Sequence, residues 1–196
     1  MATLNGYPIF KAELTPETEG VFAVSFVDEP AMEVPFLAFD REKEPMLFSV
    51  QNEEQRLVLG CIIRADFPIL RKDAKGGYFY ITFSKEVIRE IARRYVENGY
   101  TSNFDLYHDH DQIVDGIRLE ELFVKDTSRG IDPAGFSEVA DGSLFACYRI
   151  LNDAVWEKIK QGDFGGLSME AIVALSPKDE PEIDTVEDLL DYLNIK

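Results

Sequence analysis

Tyr78-Phe-Tyr-Ile-Thr-Phe83, followed at once by Ser84-Lys-Glu-Val-Ile-Arg-Glu-Ile-Ala-Arg-Arg-Tyr-Val-Glu-Asn98, contains both periods from which the chain is built. The first six residues are aromatic or β-branched and come after the turn pair Gly76-Gly77, which reads as a buried strand. Ser84 then offers a hydroxyl to an orphan N–H of a first helical turn. Val87, Ile88, Ile91, Ala92, Tyr95 and Val96 recur at helical spacing, and Gly99 can close the helix. A strand runs straight into an amphipathic helix.

Working outward, the strand period dominates. Val21 to Val27 is β-branched and aromatic and stops at Asp28-Glu29-Pro30. Arg56 to Ala65, Asn103 to Asp109, Gly116 to Lys125, Leu144 to Ile150 and Leu167 to Leu175 bring the set to about seven strands. Residues 31–55 are rich in Pro and Glu without a sustained period and read as a surface loop. Asn152 caps a second helix that carries Val155, Trp156 and Ile159 on one face and ends at Gly162, with Trp156 expected in the core. Thr185 starts a third, with Val186, Leu189, Leu190 and Leu193 on one face, after the acidic, proline-broken stretch that follows Leu175. The expected fold is α+β: a mostly antiparallel β-barrel of about seven strands flanked by helices. The expected division is a domain over 1–176 and an acidic linker with a C-terminal helix over 177–196. Asp141-Gly142 is expected to close a hairpin.

The chain has 196 residues, with 20 Lys+Arg against 37 Asp+Glu and a formal charge of −17. Its 45% hydrophobic content separates it from disordered acidic chains and gives it enough apolar residues for a core. A pI near 4.4 argues against sequence-independent nucleic-acid binding, which needs Lys and Arg to neutralise phosphates, and against anionic membrane surfaces. The charge alone would also suit an acidic mimic of DNA, although aromatic-rich strands do not require that role. Cys61 and Cys147 sit in apolar runs and are expected as buried, reduced thiols. The first residues lack the pattern of a secretory signal, and no apolar run reaches the ~20 residues of a spanning helix, so an intracellular location is expected.

Two stretches can carry chemistry. In Asn103-Phe-Asp-Leu-Tyr-His108-Asp-His110-Asp111, strand alternation puts His108 and His110 on one face and Asp109 and Asp111 on the other. Such a pair can supply a general base or, with carboxylates, hold a metal, and a polar strand end that reaches solvent has the same pattern. In Phe164-Gly-Gly-Leu-Ser168-Met-Glu170, the glycines permit a tight turn or close backbone approach, and Ser168 begins a strand on the same face as Glu170. Leu167, Met169, Ala171, Val173 and Leu175 would then pack inward. A serine hydroxyl is a poor nucleophile at neutral pH and needs an adjacent base, so only the fold can join Ser168 to a histidine 60 residues upstream.

Taken in order, several stretches resemble one family, the phage prohead (capsid maturation) serine proteases, in particular the XkdF-like branch. They are Val24-Ser-Phe-Val-Asp-Glu-Pro-Ala31, Pro35 to Phe39, Tyr78 to Ala92, the His-Asp segment, Leu119-Glu-Glu-Leu-Phe-Val124, Asp141-Gly-Ser-Leu-Phe145, Val155-Trp156, and Gly162 to Glu170. The resemblance spans roughly residues 21–175. It implies a fold like the β-barrel of herpesvirus assembly proteases, with Ser168 as nucleophile and a histidine base, His108 being preferred over His110. The family's Gly-Phe-Ser-x-Glu-Gly pattern is altered here to Leu167 before the serine and Ala171 at its end. Glu121 falls where the branch has a glutamate and is expected to orient the histidine, with Asp109, Glu120, Glu170 and the second histidine as alternatives. The resemblance further implies cleavage of scaffold and major capsid protein segments, and of the protease itself, inside the assembling prohead in the host cytoplasm. It implies no cofactor or metal and allows self-association. The alternative in the same fold is a catalytically silent capsid-assembly or scaffold interaction protein. The other is an enzyme holding a metal on the two histidines.

Overall fold

The structure is a computed structural model, and residues 2–18, 20–27, 48–73, 75–106, 114–164 and 166–177 are described. In chain order the strands are β1 (Thr3–Leu4), β2 (Tyr7–Glu13), β3 (Gly20–Val27), β4 (Phe48–Asn52), β5 (Leu57–Ile63), β6 (Ile69–Lys72) and β7 (Tyr78–Thr82). Helix α1 (Lys85–Glu97) leads to β8 (Phe104–Leu106), β9 (Ile117–Val124) and β10 (Leu144–Ile150). Helix α2 (Asp153–Gln161) leads to β11 (Gly166–Ile172) and β12 (Ala174–Pro177). No helix among these residues is long and apolar enough to cross a membrane.

The local signals act as expected. The Ser84 hydroxyl accepts from the Val87 N–H at 3.3 Å, and Asn152 Oδ1 accepts from the Val155 N–H at 3.1 Å. Helix α1 buries Ile88, Ile91 and Tyr95, and α2 buries Val155, Trp156 and Ile159. Val96, included in the apolar stripe of α1, is instead 54% exposed, since it lies at the stripe's edge one residue past Tyr95.

The strands pair as three open sheets. One is β1-β2-β7-β6, with β12 also on β2; the second is β4-β5-β10-β9; the third is β11-β3-β8. This overturns the single, mostly antiparallel seven-stranded barrel expected from the sequence and from the herpesvirus-protease likeness: among the described residues no sheet closes on itself. Three physical causes combine. Strands β2 and β7 run parallel, as do β3 and β8, and a parallel ladder joins segments far apart in the chain, which no local pattern reveals. The expected strand 167–175 divides at Val173, so that β11 lies in the third sheet while β12 joins the first. Finally, β1, β2, β4 and β6 are extra strands, β1, β4 and β6 being short and β2 carrying Pro8 and Lys11, with β4 lying in the stretch read as loop.

Other details also differ. Gly142 is in the left-handed region, but its N–H bonds Lys125 O at 2.8 Å, so it receives the end of a long connection from β9 to β10 rather than closing a two-residue hairpin. Pro177 pairs with Phe10 in β12, so the sheet extends one residue into the proposed linker. The rest of 178–196, including the expected third helix, and residues 28–47 lie outside the described residues.

The main core gathers Val24 and Phe26 of β3, the apolar residues of β5 and β10, both helices, and Leu167 and Met169 of β11. A second, smaller cluster of Ala2, Leu4, Ile9 and Tyr80 lies within the first sheet. Both cysteines are buried and free, as expected.

Candidate active site

Ser168 stands in the middle of the third sheet's register. Strand β11 is antiparallel to β3 with Ser168 opposite Ser25, and β8 is parallel to β3 with Asp105 opposite Ser25. Directly paired residues point to the same face of a sheet, so Ser168, Ser25 and Asp105 form one polar row. The flanking rows, Leu167–Phe26–Leu106 and Met169–Val24–Phe104, point to the other face, and Leu167, Met169, Val24, Phe26 and Phe104 are in the main core. Leu167 and Met169 thus pack inward as the alternation predicts. Leu175 does not: it is 41% exposed, because β12 has left for another sheet.

Aromatic stacking fixes this register from beneath. Phe164, just before β11, stacks on Phe26 at 5.0 Å; Phe26 meets Phe104 of β8 at 5.0 Å; and Phe104 meets Tyr148 of β10 at 4.8 Å. Such pairs contribute about 0.5–1.5 kcal/mol each beyond burial, and here they link all three strands of the serine row to the neighbouring sheet. Gly162, left-handed at φ 75°, ends α2 and lets the chain turn into Phe164.

The polar row is dry. Ser25, Asp105 and Ser168 are exposed by only 0%, 3% and 4%. The Ser25 hydroxyl donates to Asp105 Oδ1 in a short hydrogen bond. Glu170, on the same face as Ser168 and two residues on, is half-buried.

The remaining candidates fall elsewhere. Glu121 is exposed on β9 in the second sheet, opposite Cys147, so the structure does not bring it into the row with Ser168. Burial pushes the Cys147 thiol up to about 11, and the negative charges of Glu121 and Glu120 add to the effect. Glu120 is paired with Arg149 Nε at 2.5 Å. His108, Asp109 and His110 lie outside the described residues.

Two residues of the row escaped the sequence reading. Ser25 is the lone polar residue within Val21–Val27, and Asp105 is a charge inside an expected strand. Each carries a faint local signal, a polar side chain where the strand should be apolar, but only register joins them to Ser168.

The family model described as "Putative phage serine protease XkdF" matches residues 45–176, well over half of the chain. The chain belongs to this family. The XkdF match includes Asp105, both histidines, Glu121 and Ser168, whereas Ser25 precedes it. No curated protein and no solved structure matches the chain. At the family level the protein is thus grouped with phage serine proteases, and its buried Ser168 is a serine of the matched region, paired with Ser25 in the third sheet.

Proposed function

We propose that the protein is a serine endopeptidase of phage capsid maturation, with Ser168 as its nucleophile. The observation that carries this reading is the XkdF family match across the segment in which Ser168 is buried at a fixed register position. One histidine, His108 or His110, acts as general base. Ser168 Oγ attacks the scissile carbonyl while its proton passes to the imidazole; the C–N bond breaks, the amine leaves with that proton, and water then hydrolyses the acyl-enzyme by the reverse relay. A carboxylate fixes the imidazole tautomer, Glu121 being the candidate from the family pattern. The substrates are segments of scaffold and major capsid protein, and the chain itself, inside the prohead in the host cytoplasm.

A fluorophosphonate probe tests the chemistry directly. Ser168 Oγ bonds to phosphorus, fluoride leaves, and the hydroxyl proton goes to the base. The expected result is one phosphonyl adduct mapped to Ser168 by mass spectrometry, absent in Ser168→Ala, together with cleavage of co-expressed scaffold protein by the wild type only. Unlabelled Ser168 with intact scaffold would instead indicate the silent assembly role.

A further inference from the structure

The second hydrophobic cluster is drier than its own sheet can make it. Ala2, Leu4 and Ile9 are 0% exposed and Tyr80 only 2%. Ile9 is paired with Tyr80, Tyr80 with Leu70, and Leu4 with Tyr7, which lies two residues from Ile9, so these side chains share one face of the first sheet. The cluster and the partly buried Tyr7 and Leu70 packed against it all come from that sheet and the residue before it. Neighbours on one face shield each other's flanks but not their tips, so a face this dry needs a second layer. The opposite face, with Ala12, Ile69 and Ile81, belongs to the main core, where the buried sides of α1 and α2 also pack.

We propose that the C-terminal segment supplies the missing layer: residues 186–194 form an amphipathic helix whose Val186, Leu189, Leu190 and Leu193 dock across the first sheet of the same chain. Where the chain leaves the sheet supports this. Strand β7 takes one edge of β2 at Ile9–Lys11, so β12 and β1 share the other, and Pro177 is paired with Phe10 just before β1 begins at Pro8. The chain must therefore leave the sheet beside the cluster. Residues 178–184 can reach about 25 Å when extended, whereas crossing from β12 to β6 takes three strand spacings, about 14 Å. A nine-residue helix is about 14 Å long and fits that width. So short a helix is marginal alone in water and needs such a surface. Residues 28–47, by contrast, join β3 to β4 in the other two sheets. Charge agrees as well. Lys11 and Lys72 stand on the cluster's face, and residues 178–194 carry seven Asp and Glu against one lysine.

Hydrogen exchange of the full chain at two protein concentrations, read by mass spectrometry, tests the docking. Amides 187–193 should be protected at least about 10-fold over an unfolded peptide, equally at both concentrations. In Leu189→Ala/Leu190→Ala/Leu193→Ala, exchange in β1 and β2 should quicken about 10- to 100-fold while β5 and β10 keep wild-type rates. Asp191→Asn, on the helix's polar side, should change neither. If the triple variant does not fold, Leu190→Ala alone replaces it, with the same strands quickening by a smaller factor. Unprotected amides at 187–193 in the wild type overturn the proposal, as do wild-type rates in β1 and β2 of the folded leucine variant. Protection that appears only at the higher concentration also overturns it and assigns the layer to a second copy of the chain.

Discussion

Burial determines the chemistry of single residues here, as the two cysteines show. Desolvation pushes the Cys61 thiol up to about 12 from 9.0, against the smaller opposing pull of Arg64 and Lys125. A raised thiol stays protonated in the folded chain while the unfolded chain ionises, so its contribution to stability is complete below about pH 9 and is lost as pH rises toward 12. The denaturant midpoint should accordingly fall above about pH 9, and a Cys61→Ser/Cys147→Ser variant should flatten that fall. In the native state near pH 8 neither thiol should react with iodoacetamide, while both should do so in denaturant. The same contrast between local and non-local information governs the site. The start of β11 was legible from Gly-Gly-Leu-Ser-Met-Glu because glycines before a strand mark a backbone position with special demands, whereas the role given to Ser168 came from the family resemblance. Ser25 and Asp105 were not legible, since each resembles a tolerated polar residue until pairing across two ladders puts it beside the others.

At the scale of elements, helices were read closely because their signals are local: Ser84 and Asn152 cap where a hydroxyl or amide oxygen meets a free N–H, and the buried faces follow the 3.6-residue period. Strand existence was also local, but strand partnership was not. Tyr7–Glu13 contains a proline and a lysine and looks weak, yet it pairs with β1, β7 and β12 and organises the first sheet. The joint between β9 and α2 depends on another local feature. Gly116 is left-handed at φ +82°, its carbonyl accepts from the N–H groups of Leu151 at 2.6 Å and Asn152 at 3.2 Å, and a Cβ there would lie 3.1 Å from Asn152 N. Gly116→Ala should therefore cost about 1–2 kcal/mol from backbone strain, with more from that contact. The check is a lower urea midpoint at unchanged slope, with hydrogen exchange rising first at the α2 N-terminus that Asn152 caps.

For the molecule as a whole, the two hydrophobic clusters divide stability unequally. Ala2, Leu4, Ile9 and Tyr80 form a cluster of their own, while the serine row is supported by the main core and its aromatic chain. Leu4→Ala should cost about 2–5 kcal/mol. Hydrogen exchange should quicken in β1, β2 and β7 well before β11, with labelling of Ser168 little changed; uniform loss would mean that the clusters open together. The parallel and long-range pairings also constrain the order of biosynthesis. Strand β2 emerges early but cannot complete its ladder until Ala174–Pro177 is made, and β3 waits for Gly166–Ile172 to bring Ser168 opposite Ser25. At roughly 5–20 residues per second, that delay on the ribosome is on the order of ten seconds or more. A nascent chain thus has no assembled serine row until translation has passed the last strand.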